Sequence, residues 1–166
     1  MIDEKTKTIY RALEPEVRAE ALAREALKDI KDKMGRPAIG HTAYVAGTGE
    51  TADERIVGWC HDLVEDTWVT LPLLREINFD EHIVQAVDSV TRREGEKYFD
   101  FIDRASLDPL GVRVKIKDNR HNRHRCHELG ADAQGMERRY DRAFVVLETA
   151  SIEFDRIKSQ SHGNSR

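Results

Sequence analysis

Cysteine is scarce in this chain, which has Cys60 and Cys126 as its 2 cysteines among 166 residues. With no CxxC spacing they suggest no thiolate metal finger, and nothing supports a disulfide between them. A reduced, cytoplasmic chain is the simpler expectation. Long apolar runs are missing too. None approaches the ~20 residues needed to cross a bilayer, so no membrane partner is expected. The start, Met1-Ile2-Asp3-Glu4-Lys5, has no apolar stretch behind a basic end and does not read as a secretory signal. Positive charge is not in excess: the formal net charge is −4. The chain as a whole is therefore no polyanion binder, and any attraction for phosphate has to come from a local basic patch. Repeats and linkers are absent as well. One domain is expected over residues 1–158, followed by a polar tail, 159–166, that reads as disordered.

Hydrophobic residues make up 39% and charged residues 35%, a balance that suits amphipathic helices with solvated outer faces. Apolar spacing predicts helix nearly throughout. Glu14-Pro15 opens a helix whose stripe runs Ala19, Leu22, Ala23, Ala26, Leu27, Ile30 and Met34, ending at Gly35 before Pro37. Residues 35–49 are glycine-rich, with about one helical turn expected near His41–Ala46. Thr51 and Glu54 form a capping-box signature for a helix continuing to about Asp66. Shorter helices follow from Thr70, Asp80 and Tyr98, with Gly95 as a break. Asp108-Pro109 reads as the start of a helix carrying Asp118. Val112, Val114 and Ile116 alternate with polar positions as a strand would. Helix is still preferred, because the start signal is good, no partner strand is visible, and a central bundle helix can be apolar on two sides. The longest stripe follows Gly130: Ala133, Met136, Tyr140, Ala143, Leu147, Ala150, Phe154 and Ile157. The fold class expected is a single-domain, all-α bundle.

The segment from Thr51 to Asp66 carries the chemistry. On a helical wheel Ile56, Val57, Trp59, Cys60, Leu63 and Val64 fall on one side, and His61, Asp62, Glu65 and Asp66 on the other. A polar helix face is most often simply solvated. Here, however, His61-Asp62 offers an imidazole nitrogen and a carboxylate oxygen from one turn, a donor pair suited to Mn, Fe, Co, Ni or Zn. Glu65 and Asp66 follow at i+4, beside those donors, where a general acid or base belongs. His41 behind Arg36-Pro37, and Asp118 among basic residues, supply further donors of the same kind.

These residues resemble the H…HD…D signature of the HD-domain phosphohydrolase superfamily. The longer match is to its RelA/SpoT-type alarmone-hydrolase branch, including small stand-alone members. It is carried by Gly35-Arg36-Pro37-Ala38-Ile39-Gly40-His41, by His61-Asp62-Leu63-Val64-Glu65-Asp66-Thr67, and by Val114-Lys115-Ile116-Lys117-Asp118-Asn119-Arg120-His121-Asn122. It covers roughly residues 16–150. The resemblance implies an HD-type helical bundle and one divalent ion, manganese first, held by His41, His61, Asp62 and Asp118. It implies that Glu65 and Asp66 handle the attacking water, that Asn122 contacts a nucleotide and that Lys33 contacts phosphate. Lys115 and Arg120 are basic neighbours of Asp118 that could face phosphates. The chain departs from the family where Asp32 replaces a guanine-stacking arginine, and where Asp118-Asn119-Arg120-His121-Asn122 stands for D-R-L-H-N. Both departures spare the metal set and bear on the substrate, so the expectation is a nucleotide phosphate or diphosphate ester, with the 3′-diphosphate of a guanosine alarmone as one candidate.

Other readings compete. The same fold could serve a catalytically inactive nucleotide-binding regulator, against which the retained Glu65-Asp66 pair argues. Arg113–His127, with Asp118 as its lone acid, could be an RNA-binding helix, but the net negative charge does not favour nucleic acid as a partner. His121, His124 and His127 flank Cys126 at helical spacing, a pattern too weak by itself to make a second metal site. The apolar stripes leave room for a helix-packed homo-oligomer.

Overall fold

A computed structural model describes residues 2–32, 35–126, 128 and 133–163. In chain order its helices are α1 (Glu4–Arg11), α2 (Pro15–Ala26), α3 (Ile39–Gly47), α4 (Ala52–Cys60), α5 (Leu63–Asp66), α6 (Leu71–Glu76), α7 (Glu81–Val90), α8 (Tyr98–Ala105), α9 (Gly111–Cys126) and α10 (Ala133–Gly163). The described residues hold no strand, only an isolated antiparallel bridge between Lys31 and Pro37. The all-α, single-domain expectation is met. None of the described helices is long and apolar enough to cross a membrane.

Local chemistry sets the helix starts. Asp3, Thr51 and Thr70 each accept a hydrogen bond from the backbone N–H three residues on, at Thr6, Glu54 and Leu73, which satisfies a donor that the first turn leaves open. Glu54 in turn accepts from the N–H of Glu50, one residue before the cap, at 3.0 Å. It is itself buried, and Lys117 of α9 lies 3.0 Å from its carboxylate.

Two helix boundaries differ from the sequence reading. α2 stops at Ala26 rather than Gly35. Ile30, Asp32 and Arg36 instead spend their backbone groups in a tight turn, with Asp32 N–H donating to the Arg36 carbonyl and Ala38 N–H to the Ile30 carbonyl. Gly35 takes φ +75 in that turn, which suits glycine, and Pro37 has no N–H with which to continue a helix. The expected helix over 51–66 is likewise broken, at His61-Asp62, into α4 and α5. The His61 imidazole donates to the Gly58 carbonyl at 2.7 Å, and side-chain capture of a backbone acceptor competes with the next helical bond. At the other end α10 continues through Gly163, past Ser159, where the sequence reading placed the start of a tail.

Two apolar clusters meet at α9. One is built from Leu22, Val45, Val57, Leu63, Leu74, Val84 and their neighbours, and includes Val114. The other comprises Phe101, Ile102, Ala105, Val112, Ile116, Ala143 and Leu147. Val112 and Ile116 lie about 40° apart on a helical wheel and Val114 about 200° from Val112. A helix sandwiched between two cores therefore reproduces the alternation of a strand. That sandwich buries the middle of α9 and carries Asp118 to the centre of the molecule, where it is 4% exposed at its side chain.

Candidate metal centre

Three helical segments converge on one point. α3 brings His41, the α4–α5 turn brings His61 and Asp62, and α9 brings Asp118. The first convergence depends on backbone contact, because Gly58 of α4 lies directly against Ala46 of α3. His61 Nε2 stands 3.2 Å from His41 Nε2 and 3.2 Å from Asp62 Oδ2. His41 Nε2 is 3.6 Å from Asp62 Oδ2 and 3.0 Å from Asp118 Oδ1. One donor atom from each of His41, His61 and Asp62 lies within 4.8 Å of the others, a cluster able to chelate a divalent ion.

The donor chemistry fits such an ion. Donors bound at about 2.0–2.1 Å to a shared cation stand about 3.0–3.4 Å apart, close to the separations found. His61 donates through Nδ1 to a carbonyl, which only accepts, so its neutral form turns a lone pair at Nε2 towards the facing His41 nitrogen. Facing lone pairs ringed by carboxylate oxygens call for positive charge between them. The His61 imidazole answers that need with a proton: burial disfavours its charged form, but Asp62 and Asp118 outweigh burial and push it up to about 9. Burial likewise opposes ionisation of Asp118, yet Lys115 and His41 hold its carboxyl well below the usual carboxylate range. Among the described residues no second cluster of metal-ligating side chains occurs; His127 lies outside them.

Beside the donors is a cleft of about 440 Å³ lined by His41, Asp62, Glu65, Asp66, Asn122, Ile30, Lys31, Asp32, Ala38, Arg125, Cys126, Met136 and Tyr140. Glu65 and Asp66 thus share the donors' cleft. Burial first, then the Asp62 and Glu65 carboxylates, push Asp66 up to about 6. Glu65 Oε2 accepts from the Arg92 N–H at 3.0 Å. A separate groove of about 450 Å³, between Glu50, His82, Arg113 and Lys158, contains none of the donors.

The proposed phosphate contacts are distributed differently from the sequence expectation. Asn122 reaches the cleft, but its amide also donates to Asp118 Oδ1 at 2.5 Å. Lys115 lies largely buried over the Phe101 ring and donates to Asp118 Oδ2 at 2.6 Å, so it neutralises Asp118 and does not line the cleft. Arg120 turns outward to Glu148 of α10 at 2.7 Å and covers Phe144. Helical spacing on the two-sided α9 sends these side chains to different neighbours. Lys33 lies outside the described residues. Asp32 forms a largely buried ion pair with Arg125 at the cleft.

Several residues of the centre were not assigned by sequence. Arg125, Met136 and Tyr140 line the cleft from α9 and α10. His121 places its Nδ1 2.7 Å from His41 Nδ1, with the rings nearly parallel at 6° and centroids 4.9 Å apart. His41 thus meets His121 edge to edge, and Tyr44 stacks on a face of His121 at 3.9 Å and 12°. His121 is held down at about 4, by burial and then by His41 and Arg125. Its i+3 position after Asp118 puts it on the same helix face, which was the signal available; the contact with α3 was not.

No protein-family model and no curated protein matches the sequence. Among solved structures, a metazoan ortholog of SpoT that hydrolyzes ppGpp and plays a role in starvation responses superposes with TM-score 0.68. It is 15% identical, over 90% of this chain and 96% of that one. The likeness speaks to the fold, and it coincides with the His41, His61-Asp62 cluster at the positions of the H…HD motif. The chain shares its helical fold with that protein.

Proposed function

We propose that this HD-fold chain is a metal-dependent phosphohydrolase acting on a nucleotide phosphate or diphosphate ester. The observation that carries the reading is the cluster of His41 from α3 with His61 and Asp62 from the α4–α5 turn, with Asp118 of α9 3.0 Å from His41, beside a cleft lined by the acidic pair Glu65 and Asp66. His41, His61, Asp62 and Asp118 are the proposed ligands of one divalent ion; the mixed nitrogen and oxygen set suits Mn, Fe, Co, Ni or Zn, and the motif resemblance favours manganese. Such an ion, when bound, brings the pKa of water from about 15.7 towards about 7 and offsets phosphoryl charge.

The chain's own side chains would do the rest. Glu65 and Asp66 flank the donors, so either can take the proton of an attacking water and return it to the departing oxygen. Lys115 and Asn122 grip the two oxygens of Asp118 and so fix its direction. Ile30, Ala38, Met136 and Tyr140 give the cleft an apolar lining suited to a base and sugar. The alarmone 3′-diphosphate is the finer candidate, favoured by the motif resemblance and by what the metazoan SpoT ortholog hydrolyzes.

The test is a panel of nucleotides, alarmones included, incubated with manganese and analysed for inorganic phosphate, pyrophosphate and nucleoside products. Turnover lost in His61→Ala is expected. Binding without turnover across the panel would replace the hydrolase reading with that of a nucleotide-binding regulator.

A further inference from the structure

We propose that His121 is a positioning residue for the metal centre, accepting the Nδ1–H of His41 so that His41 presents Nε2 to a divalent cation. The inference rests on the metal-centre reading above and deepens it.

The argument starts from what the neighbouring histidine does. His61 donates its Nδ1–H to the Gly58 carbonyl, leaving Nε2 to face the cluster. Histidines that hold metals nearly always give their second ring nitrogen a partner in this way, which fixes both tautomer and ring angle. His41 sits in the same cluster, but among the described residues no carbonyl or carboxylate is hydrogen-bonded to its Nδ1. The atom found there is His121 Nδ1, at 2.7 Å.

At that distance one nitrogen must donate and the other accept. His41 Nε2 is directed at Asp118 Oδ1, at 3.0 Å, and at His61 Nε2, at 3.2 Å. If it is to donate a lone pair to a cation, the one proton of neutral His41 belongs on Nδ1. His121 then has to accept at Nδ1 and carry its own proton on Nε2.

The surroundings of His121 hold it in that role. Tyr44, one turn after His41 on α3, covers a face of the His121 ring, while His41 meets that ring at its edge. His121 is thus held by two rings of α3, Tyr44 on its face and His41 at its edge, while its own backbone belongs to α9. The Tyr44–His121 stack and the His121–His41 hydrogen bond therefore tie the two helices together at the point where each contributes a proposed donor, His41 from one and Asp118 from the other.

The experiment is divalent-metal affinity of the full-length chain, measured by competition between manganese and a fluorescent chelator. His121→Phe keeps a flat ring for the stack and removes the acceptor. His121→Asn gives up the stack and restores an acceptor oxygen close to the position of Nδ1. The phenylalanine variant is expected to bind manganese about 10- to 100-fold more weakly, and the asparagine variant to recover most of that loss. In zinc-loaded protein labelled with ¹⁵N-histidine, the His41 Nδ1–H resonance should be visible in the wild type and lost or broadened in His121→Phe. A phenylalanine variant that binds as tightly as the wild type, or an asparagine variant that binds no better than the phenylalanine one, overturns the role given to His121 and leaves the metal centre standing. A wild-type chain that binds no divalent ion brings down the metal centre itself, and this inference with it.

Discussion

Gly58 of α4 lies so close to Ala46 of α3 that a Cβ built on it would stand 2.7 Å from the Ala46 Cα and 2.9 Å from its backbone nitrogen. Both obstructing atoms are backbone, so no side-chain rotation relieves the overlap. The same contact sets the spacing of His41 and His61, which leave these helices towards a common point. Elsewhere in a helix, Gly→Ala stabilises by about 1 kcal/mol through backbone entropy. At this position the sign should reverse. Gly58→Ala is expected to cost about 2–3 kcal/mol in chemical denaturation, as overpacked sites do, and to weaken manganese binding. An unchanged or raised midpoint would show that the α3–α4 contact is looser than described.

Lys115 and Asp118 are a buried pair one turn apart on α9, and Lys115 has almost no other outlet, since its ammonium lies over the Phe101 ring. Replacing Lys115 by Met keeps the aliphatic length and strands a carboxylate in the core. Breaking such a pair costs about 3–5 kcal/mol. Manganese at the centre should return part of that loss, because a cation beside Asp118 takes over the neutralising role. The expected result is a lower melting temperature for Lys115→Met in chelator, and a larger rise on adding manganese than the wild type shows. Equal rises in the two proteins would mean that Asp118 does not share charge with the metal.

Lys115 also illustrates how far the sequence could be read. The helical class and the capping residues Thr51 and Thr70 were legible because they depend on spacing along a single segment. His41 and the pair His61-Asp62, which lie together, were legible only through a motif resemblance spread over separate segments. α9 was legible as a helix only through its start signal, since its burial between two cores imitates a strand in the order Val112, Val114, Ile116. Near Asp118 the sequence offers a row of bases without saying which core each will enter. Lys115 goes inward to Asp118, Lys117 to Glu54, and Arg120 outward to Glu148. Those destinations depend on contacts between elements far apart in the chain, as does the meeting of His121 with His41. The break at His61-Asp62 escaped for a related reason: a side chain that captures its own helix's carbonyl leaves no trace in periodicity.

Glu96 and Arg104 form a second ion pair remote from the donors, with Arg104 Nε and Nη2 each 2.8 Å from a different Glu96 oxygen. Arg104 also donates to the carbonyls of Asp88, Ser89 and Thr91, so the pair closes the end of α7 onto α8. The Arg104 hydrogen bonds hold the Glu96 carboxyl down at about 2, against 4.5 for an unperturbed glutamate. A depressed folded value means that the unfolded chain takes up this proton first as pH falls. The stabilisation is therefore complete above about pH 5 and is lost between there and about pH 2. Glu96→Gln should lower stability by about 2 kcal/mol at neutral pH, in the range for hydrogen bonds to charged groups. The gap between variant and wild type should shrink as pH drops through that window. Other carboxylates titrate in both proteins, so the difference isolates Glu96. A gap that stays constant from pH 7 to pH 3 would assign the cost of the substitution to packing.

Glu65 and Asp66 stand side by side at the cleft, but only Glu65 is seen to hold backbone, at the Arg92 N–H. That bond anchors the start of the 92–97 loop and needs an acceptor, not a charge. Glu65→Gln retains an acceptor oxygen in the same place, and its loss in kcat should stay below about tenfold. Asp66 lines the same cleft next to Asp62 and His41, which favours it as the group that moves the proton of the attacking water. Asp66→Asn should therefore lower kcat by about 10²–10⁴-fold, while manganese affinity changes by no more than a few-fold, because Asp66 is not among the proposed ligands. Steady-state kinetics on whichever nucleotide the panel identifies, paired with metal titrations, separates these effects. If Glu65→Gln proves the more damaging of the two, the proton-transfer role moves to Glu65. If Asp66→Asn abolishes metal binding along with turnover, Asp66 has to be counted as a ligand instead.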